Sequence, residues 1–465
     1  MKVTAIIAEY NPFHNGHLYQ LDTIRRTLDT DIIVVVMSGD FMQRGIPAVV
    51  DKYERCQMAL ENGADLVFEL PVYFALGSAE YFAQGAVSLI DKLGVVDFLH
   101  FGSEAGDISL LYELTSTMLA HESDAYKAML NKYLKLGYSF PAARDHALSE
   151  LIPDQAIRQL VSAPNNILGI EYVKALIQRN SSIKPVTLAR AGEGYASDSL
   201  ATDSFASANA IRKALLCRSD PGDDSPSAQY SGSEQSASPD IPLCVQKQIP
   251  ASVCALLCQK TLLYANDFSE VLLYKMLQEQ MLQNRILPSA ALQGASRKGA
   301  FSKYYDIGIQ LSHTLYNNLP GFTTFEDFAL SCKTKNLTYT RICRGLMHIL
   351  LDMTQEKADL FKQEDYAQYA RLLGFTERGR QLLGSIKANS SIPVITKPSS
   401  ALRQLGGTAL MSLYSDIHAA DIYDSVRQQK QFRLSDTLSK QPVEMIQKIH
   451  MTRQNELTRQ IIKHD

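Results

Sequence analysis

Val3-Thr4-Ala5-Ile6-Ile7-Ala8, then Glu9-Tyr10-Asn11-Pro12-Phe13-His14-Asn15-Gly16-His17, then an amphipathic run to Leu28: this opening stretch decides the fold. Val3–Ala8 is a short continuous apolar run, the mark of a strand buried on both faces. Leu18, Leu21, Ile24 and Leu28 recur at helical spacing, so a helix is predicted over His17–Leu28. Between strand and helix lies a polar turn that contains both a proline and a glycine.

The same alternation continues outward. Asp31–Met37 and Asp65–Leu70 read as further buried strands, and Val95–Phe101 as a fourth. A helix capped by Asp51 is expected to run to about Asn62, with Gly63 as its stop signal, and Ala79–Leu93 is a second. Apolar strands separated by helices predict an α/β fold built on a doubly wound parallel sheet. In such sheets ligands bind at the carboxyl ends of the strands, where 11–17, 38–44 and 102–104 all leave.

Three divisions are expected along the chain. Residues 1–216 form the sheet domain, 217–245 a Ser/Pro/Gly-rich linker or insertion, and 246–465 a mainly helical second domain. Helices are expected over Phe268–Leu282, Tyr339–Met353, Asp365–Leu373 and Val443–Ile462, and a strand over Ile392–Thr396.

The bulk numbers bound the class. With 46 Lys and Arg against 49 Asp and Glu, the net charge of −3 points to no nucleic-acid partner globally. No run approaches a membrane span, and the apolar start is too short for a signal peptide, so a cytoplasmic protein without membrane contact is expected. Seven scattered cysteines argue against a disulfide framework. Cys254 and Cys258 sit four apart beside Cys244, without the second pair that a structural zinc site wants; no metal ligands are assigned.

The first turn carries the chemistry. Gly16 lacks a Cβ, so a nucleotide can approach the backbone, and the N–H groups at a helix start favour phosphate. His14 and His17 are the candidate catalytic residues, as donors to a phosphate that gains charge; protonated rings would strengthen this. Four residues of this kind also fit a polar turn with a histidine cap. Ser207 and Arg212, in Ala206-Ser207-Ala208-Asn209-Ala210-Ile211-Arg212, are candidates for the outer phosphates, although the segment alone also fits a capped surface helix.

A strand, a His-x-Gly-His turn and a helix resemble the nucleotidyltransferase superfamily. The wider match is to the bacterial tRNA(Met) cytidine acetate ligase family. It runs through 9–17, Met37-Ser38-Gly39-Asp40-Phe41-Met42-Gln43-Arg44-Gly45, Glu69-Leu70-Pro71, Ser78-Ala79-Glu80-Tyr81-Phe82-Ala83, Phe101-Gly102-Ser103-Glu104 and Pro164-Asn165-Asn166-Ile167-Leu168-Gly169. Asp40, where Asn is expected, and the diluted serine turn at 206–209 depart from it.

The resemblance implies an enzyme that activates acetate with ATP as acetyl-adenylate. The acetyl group would then pass to N4 of the wobble cytidine of elongator tRNA(Met), giving N4-acetylcytidine. It implies ATP binding by Ile7, Ala8, Glu9, Tyr10, Asn11, Pro12, Phe13, His14, Asn15, Gly16, His17, Leu18, Tyr19 and Gln20. Gly102, Asn165 and Arg190 would complete that site. Mg²⁺ is expected because ATP chemistry generally uses it. For the tRNA, acid-free basic stretches in the second half single out Arg297, Lys298, Lys333, Lys335, Arg341 and Arg344, with Tyr339 placed to stack a base. Short basic runs also occur as solvated helix faces. A small-molecule adenylyltransferase and a nucleotide-binding regulator without turnover are the alternatives.

Overall fold

A computed structural model describes residues 1–121, 124–138, 142–143, 146–147, 150, 163–189, 205–216, 241–286, 299–438 and 461–464. The expected helix over Val443–Ile462 falls almost wholly outside them, as does the greater part of the 217–245 segment.

Five strands form the parallel centre: β1 (Val3–Ala8), β2 (Ile32–Ser38), β5 (Leu66–Leu70), β6 (Phe98–Ser103) and β7 (Lys184–Ala189). A two-stranded hairpin, β3 (Phe41–Met42) and β4 (Ile46–Pro47), follows β2. The strands order as β5-β2-β1-β6-β7, with β1 in the middle. β1 and β2 run in register from Val3 opposite Ile32 to Ala8 opposite Met37. Both faces are covered, which is why the strands are apolar throughout. Ile32, Val34 and Val36 enter one core cluster while Ile33, Val35 and Met37 enter the other.

The opening helix α1 (Asn15–Leu28) begins two residues earlier than the apolar periodicity suggests, because His14 itself caps it. α2 (Lys52–Glu61) has Asp51 as its cap, with Glu54 completing a reciprocal capping box. α3 (Val72–Ala75) and α4 (Ala79–Lys92) follow. β6 starts at Phe98, three residues later than expected.

The C-terminal part is mainly helical, but it also completes the sheet. β8 (Ala370–Thr376) pairs antiparallel with β5, and β9 (Val394–Ile395) and β10 (Ile462–His464) both pair with β8 along the edge opposite β5. The helix expected over Asp365–Leu373 is therefore replaced by a turn and a strand. Asp365 and Tyr366 have φ of 60° and 62°, which interrupts any helix there. Arg371 sits mid-strand with 2 % exposure, and its Nη1 lies 3.0 Å from Glu69 on β5. Removing one member of such a buried pair costs about 3–5 kcal/mol, so this contact pins β8 in place. The core cluster on that face is continuous from Val3 to Val426, so the chain's two halves pack around one sheet.

Beyond the 217–240 stretch, Ile241, Val245, Ile249 and Val253 return to pack with Ile211 and Leu215 on the α1 face of the sheet. Cys254 and Cys258 lie half-buried on the helix Ala251–Cys258, against that cluster, while Cys244 is exposed. Among the described residues no helix is long and apolar enough to cross a membrane.

Candidate functional site

β1 delivers the chain into the turn at its carboxyl end, and the turn is held from several sides. Asn11 Oδ1 accepts from Val49 N–H at 2.9 Å, and the Asn11 carbonyl accepts from Arg212 Nη1 at 2.8 Å. Arg55, fully buried, donates to the carbonyls of Glu9 at 2.7 Å, Ser38 at 3.0 Å and Val50 at 3.2 Å, and also to that of Gly39. One guanidinium thus ties the ends of β1 and β2 together; burial lowers its pKa, with acidic neighbours opposing that. The Asn11–Pro12 peptide is cis.

The two histidines are locked at the start of α1. His14 Nδ1 accepts from Gly16 N–H at 3.1 Å, and His17 Nδ1 accepts from His14 N–H at 3.2 Å. Their rings stack with centroids 3.6 Å apart, and Tyr10 lies edge-on to His17. With both Nδ1 atoms accepting from the backbone, Nε2 is the ring nitrogen that can carry a donating proton. The buried Asn11 Nδ2 and Tyr10 hydroxyl have no hydrogen-bond partner among the described residues.

This turn floors a cleft of about 230 Å³. On the β6–β7 side it is lined by Phe101, Gly102, Asn165, Tyr172 and Leu188; on the β2 side, by Gln43, Arg44 and Ile46. Asn165 is oriented by Glu104, whose Oε1 accepts from its Nδ2 at 2.7 Å, while Glu104 Oε2 accepts from Asn166 N–H at 2.8 Å. His100, beneath the cleft, is pushed down to about 4 by burial and pairs with Gln20 at 3.1 Å.

Most expected site residues meet here. Ile7, Ala8, Glu9, Tyr10, Asn11, His14, Gly16, His17, Tyr19, Gln20, Gly102, Asn165, Ser207 and Arg212 all line the cleft. Pro12, Phe13, Asn15 and Leu18 do not; Phe13 is buried behind the turn, and Asn15 Nδ2 donates to the Lys247 carbonyl at 2.9 Å. Ser207 Oγ accepts from Ala210 N–H at 3.1 Å, capping its helix. Arg190 lies outside the described residues.

Sequence reading missed the wall formed by Gln43, Arg44 and Ile46, although 38–44 was expected at this edge. Gln248 was also not legible: its side chain accepts from Ala206 N–H at 2.9 Å, and its carbonyl accepts from Asn15 N–H at 2.9 Å. That bracket joins segments more than two hundred residues apart.

Of the basic candidates, Arg297 and Lys298 lie outside the described residues. Lys333 and Lys335 are exposed around the Thr334–Leu337 turn. Arg341 and Arg344 sit half-buried on the helix Tyr339–Leu350, 3.1 Å and 3.5 Å from Asp306. Their segment holds no acid, but the fold brings one. Tyr339 packs half-buried against the core rather than standing clear as a stacking platform.

The HIGH Nucleotidyl Transferase family model matches residues 1–437. A protein of Acetivibrio thermocellus named tRNA(Met) cytidine acetate ligase is 37 % identical over 432 residues, covering 91 % of this chain and 94 % of its own. One of the same name from Thermoanaerobacter sp. (strain X514) is 37 % identical over 423 residues, covering 91 % and 95 %. The crystal structure of Thermotoga maritima TmcAL in its apo form I superposes with a TM-score of 0.78 at 29 % identity, covering 92 % of this chain and 95 % of that one. The same protein bound with alpha-thio ATP gives a TM-score of 0.76 at 28 % identity, with the same coverage.

Proposed function

The chain belongs to the tRNA(Met) cytidine acetate ligase family of HIGH nucleotidyl transferases, and from that premise we propose that it acetylates N4 of the wobble cytidine of elongator tRNA(Met) using acetate and ATP. An acetate oxygen attacks the α-phosphorus, and the bond to the bridging oxygen breaks, with pyrophosphate leaving on the electron pair. The cytidine N4 then attacks the acetyl carbonyl. The carbonyl–oxygen bond breaks, AMP departs with that pair, and N4 gives up a proton to solvent.

The observation that carries this reading is the stacked His14–His17 pair, whose Nδ1 atoms are both engaged by backbone N–H groups. Their Nε2–H groups serve the α-phosphate oxygens as charge grows, and fixed donors need no reorganisation at that moment. Gly102 and Asn165 take the nucleoside end, Ser207 and Arg212 take the outer phosphates, and Arg190 completes the ATP site. The buried Asn11 Nδ2 supplies one more donor. Among the described residues no group of three or more His, Cys, Asp or Glu is arranged to hold a metal ion. Mg²⁺ is proposed to accompany ATP as its counter-ion.

The C-terminal helical part, with Lys333, Lys335, Arg341, Arg344, Arg297 and Lys298, presents the tRNA to the adenylate. The proposed site of this activity is the cytoplasm. The test is incubation with ATP, labelled acetate and tRNA, followed by digestion of the RNA. Labelled N4-acetylcytidine with one AMP per acetyl group is expected. AMP attached to a metabolite would replace this reading with an adenylyltransferase, and no consumption of ATP with a regulator.

A further inference from the structure

The cleft has two guanidinium groups among its described lining residues, and they stand on different walls. Arg212 is committed to the first turn through the Asn11 carbonyl, with Asn209 Oδ1 3.4 Å from its other nitrogen. Arg44 comes from the opposite direction, at the tip of the β3–β4 hairpin beyond β2. In the strand order the histidine turn stands between this hairpin and the β6–β7 side that carries Gly102 and Asn165. A nucleotide whose nucleoside end lies toward β6–β7, with its α-phosphate over the histidines, leaves the hairpin wall for the group that attacks phosphorus.

That wall is built rigidly. Gln43 N–H donates to Glu9 Oε1 at 2.8 Å, Gly45 N–H to the Met42 carbonyl at 2.8 Å, and Ala48 N–H to the Asp40 carbonyl at 2.9 Å. Gly45 has φ of 76°, and a Cβ there would fall 2.2 Å from the backbone nitrogen of Arg344. The tip is thus fixed to the first turn on one side and to the helix Tyr339–Leu350 on the other. It presents one planar cation and, two residues on, the half-buried apolar Ile46, which packs partly against the core. A guanidinium matches a carboxylate in charge and shape, and a short branched apolar side chain beside it suits a methyl group and resists a longer chain.

We propose that the β3–β4 tip is the carboxylate subsite: Arg44 binds and orients the acid, and Ile46 limits its length to two carbons. This rests on the reading that a carboxylate attacks the α-phosphate.

The test uses the full chain and the variants Arg44→Gln, Arg44→Lys and Ile46→Ala, with acid-dependent pyrophosphate release measured against acetate, propionate and butyrate. Binding of alpha-thio ATP serves as the control for folding. Arg44→Gln is expected to raise KM for acetate roughly 10–100-fold, the range for losing a hydrogen bond to a charged group, while nucleotide affinity stays near that of the unaltered chain. Arg44→Lys should fall between. Ile46→Ala is expected to shift the propionate-to-acetate ratio of kcat/KM about 10-fold or more toward propionate. An unchanged acetate KM in both Arg44 variants, a joint loss of nucleotide and acetate affinity, or an unchanged chain-length preference in Ile46→Ala would each overturn the subsite. Absence of acid-dependent pyrophosphate release from the unaltered chain would instead overturn the ligase reading, and the subsite with it.

Discussion

His14 and His17 stack at 3.6 Å, each with Nδ1 taken by a backbone N–H, so capping the helix and fixing both rings at the cleft are one arrangement. A substitution can separate the two roles. His17→Asn retains an oxygen able to accept from His14 N–H but loses the Nε2 donor. It is expected to fold and bind ATP while kcat for acetate-dependent pyrophosphate release falls about 10²–10³-fold, the usual loss when one such donor is removed. His14→Ala should lose a similar factor. Turnover within about 3-fold of the unaltered chain would remove these residues from the chemistry.

Gly16 is tested on steric grounds. An added Cβ would sit 3.0 Å from His14 Cε1 and 3.1 Å from its Nδ1, so the ring must shift. Gly16→Ala is expected to leave the melting temperature within a few degrees, since an alanine suits a helix interior better than glycine. It should nonetheless lower kcat at least about 10-fold by moving the histidine off its position. Full activity would mean that the turn tolerates a displaced His14.

A buried carboxyl outside the cleft lining offers a pH signature. Asp416, on the helix Gly407–Leu438, accepts from Val72 N–H at 2.7 Å and from the Tyr369 hydroxyl. Burial, with Glu69 adding to it, pushes its pKa up from 3.8 to about 7. The folded chain therefore holds this proton more tightly than the unfolded chain does. The stability it contributes is present in full below about 4 and is lost as pH rises to about 7. Comparing melting of the unaltered chain and Asp416→Asn at pH 5, 6.5 and 8, the difference in favour of Asp416 should be largest at pH 5 and shrink upward. A difference independent of pH would contradict the raised value.

Lys333 and Lys335 are the exposed members of the basic set, whereas Arg341 and Arg344 share Asp306. Reversing both lysines to glutamate is expected to weaken tRNA binding and flatten its salt dependence by about one phosphate contact per residue. Pyrophosphate release without tRNA should be unchanged. A filter-binding titration across salt concentrations reads both slope and affinity, and an unaltered slope would move the tRNA surface elsewhere.

How much of this was legible in the sequence follows from the range of each contact. Strands of apolar residues and the helix after His14 are local patterns, and they stand within two or three residues of their expected places. β8 was not legible, because Arg371 in Ala370–Thr376 looks like the polar face of a helix until Glu69, some three hundred residues away, pairs with it. The acid beside Arg341 and Arg344 was not legible for the same reason, since Asp306 lies outside their segment. Within the cleft, the turn itself was readable, while the Gln248 bracket and the Arg44 wall depend on tertiary packing.

The most direct measurement follows oxygen. If acetate attacks the α-phosphorus, acetate labelled with ¹⁸O in both carboxylate positions must leave one labelled oxygen on the AMP released after acetyl transfer. Mass spectrometry of AMP from a reaction with ATP, the labelled acetate and tRNA reads this. One ¹⁸O per AMP is expected; unlabelled AMP, or label in inorganic phosphate with ADP as the nucleotide product, would contradict activation of acetate at the α-phosphate.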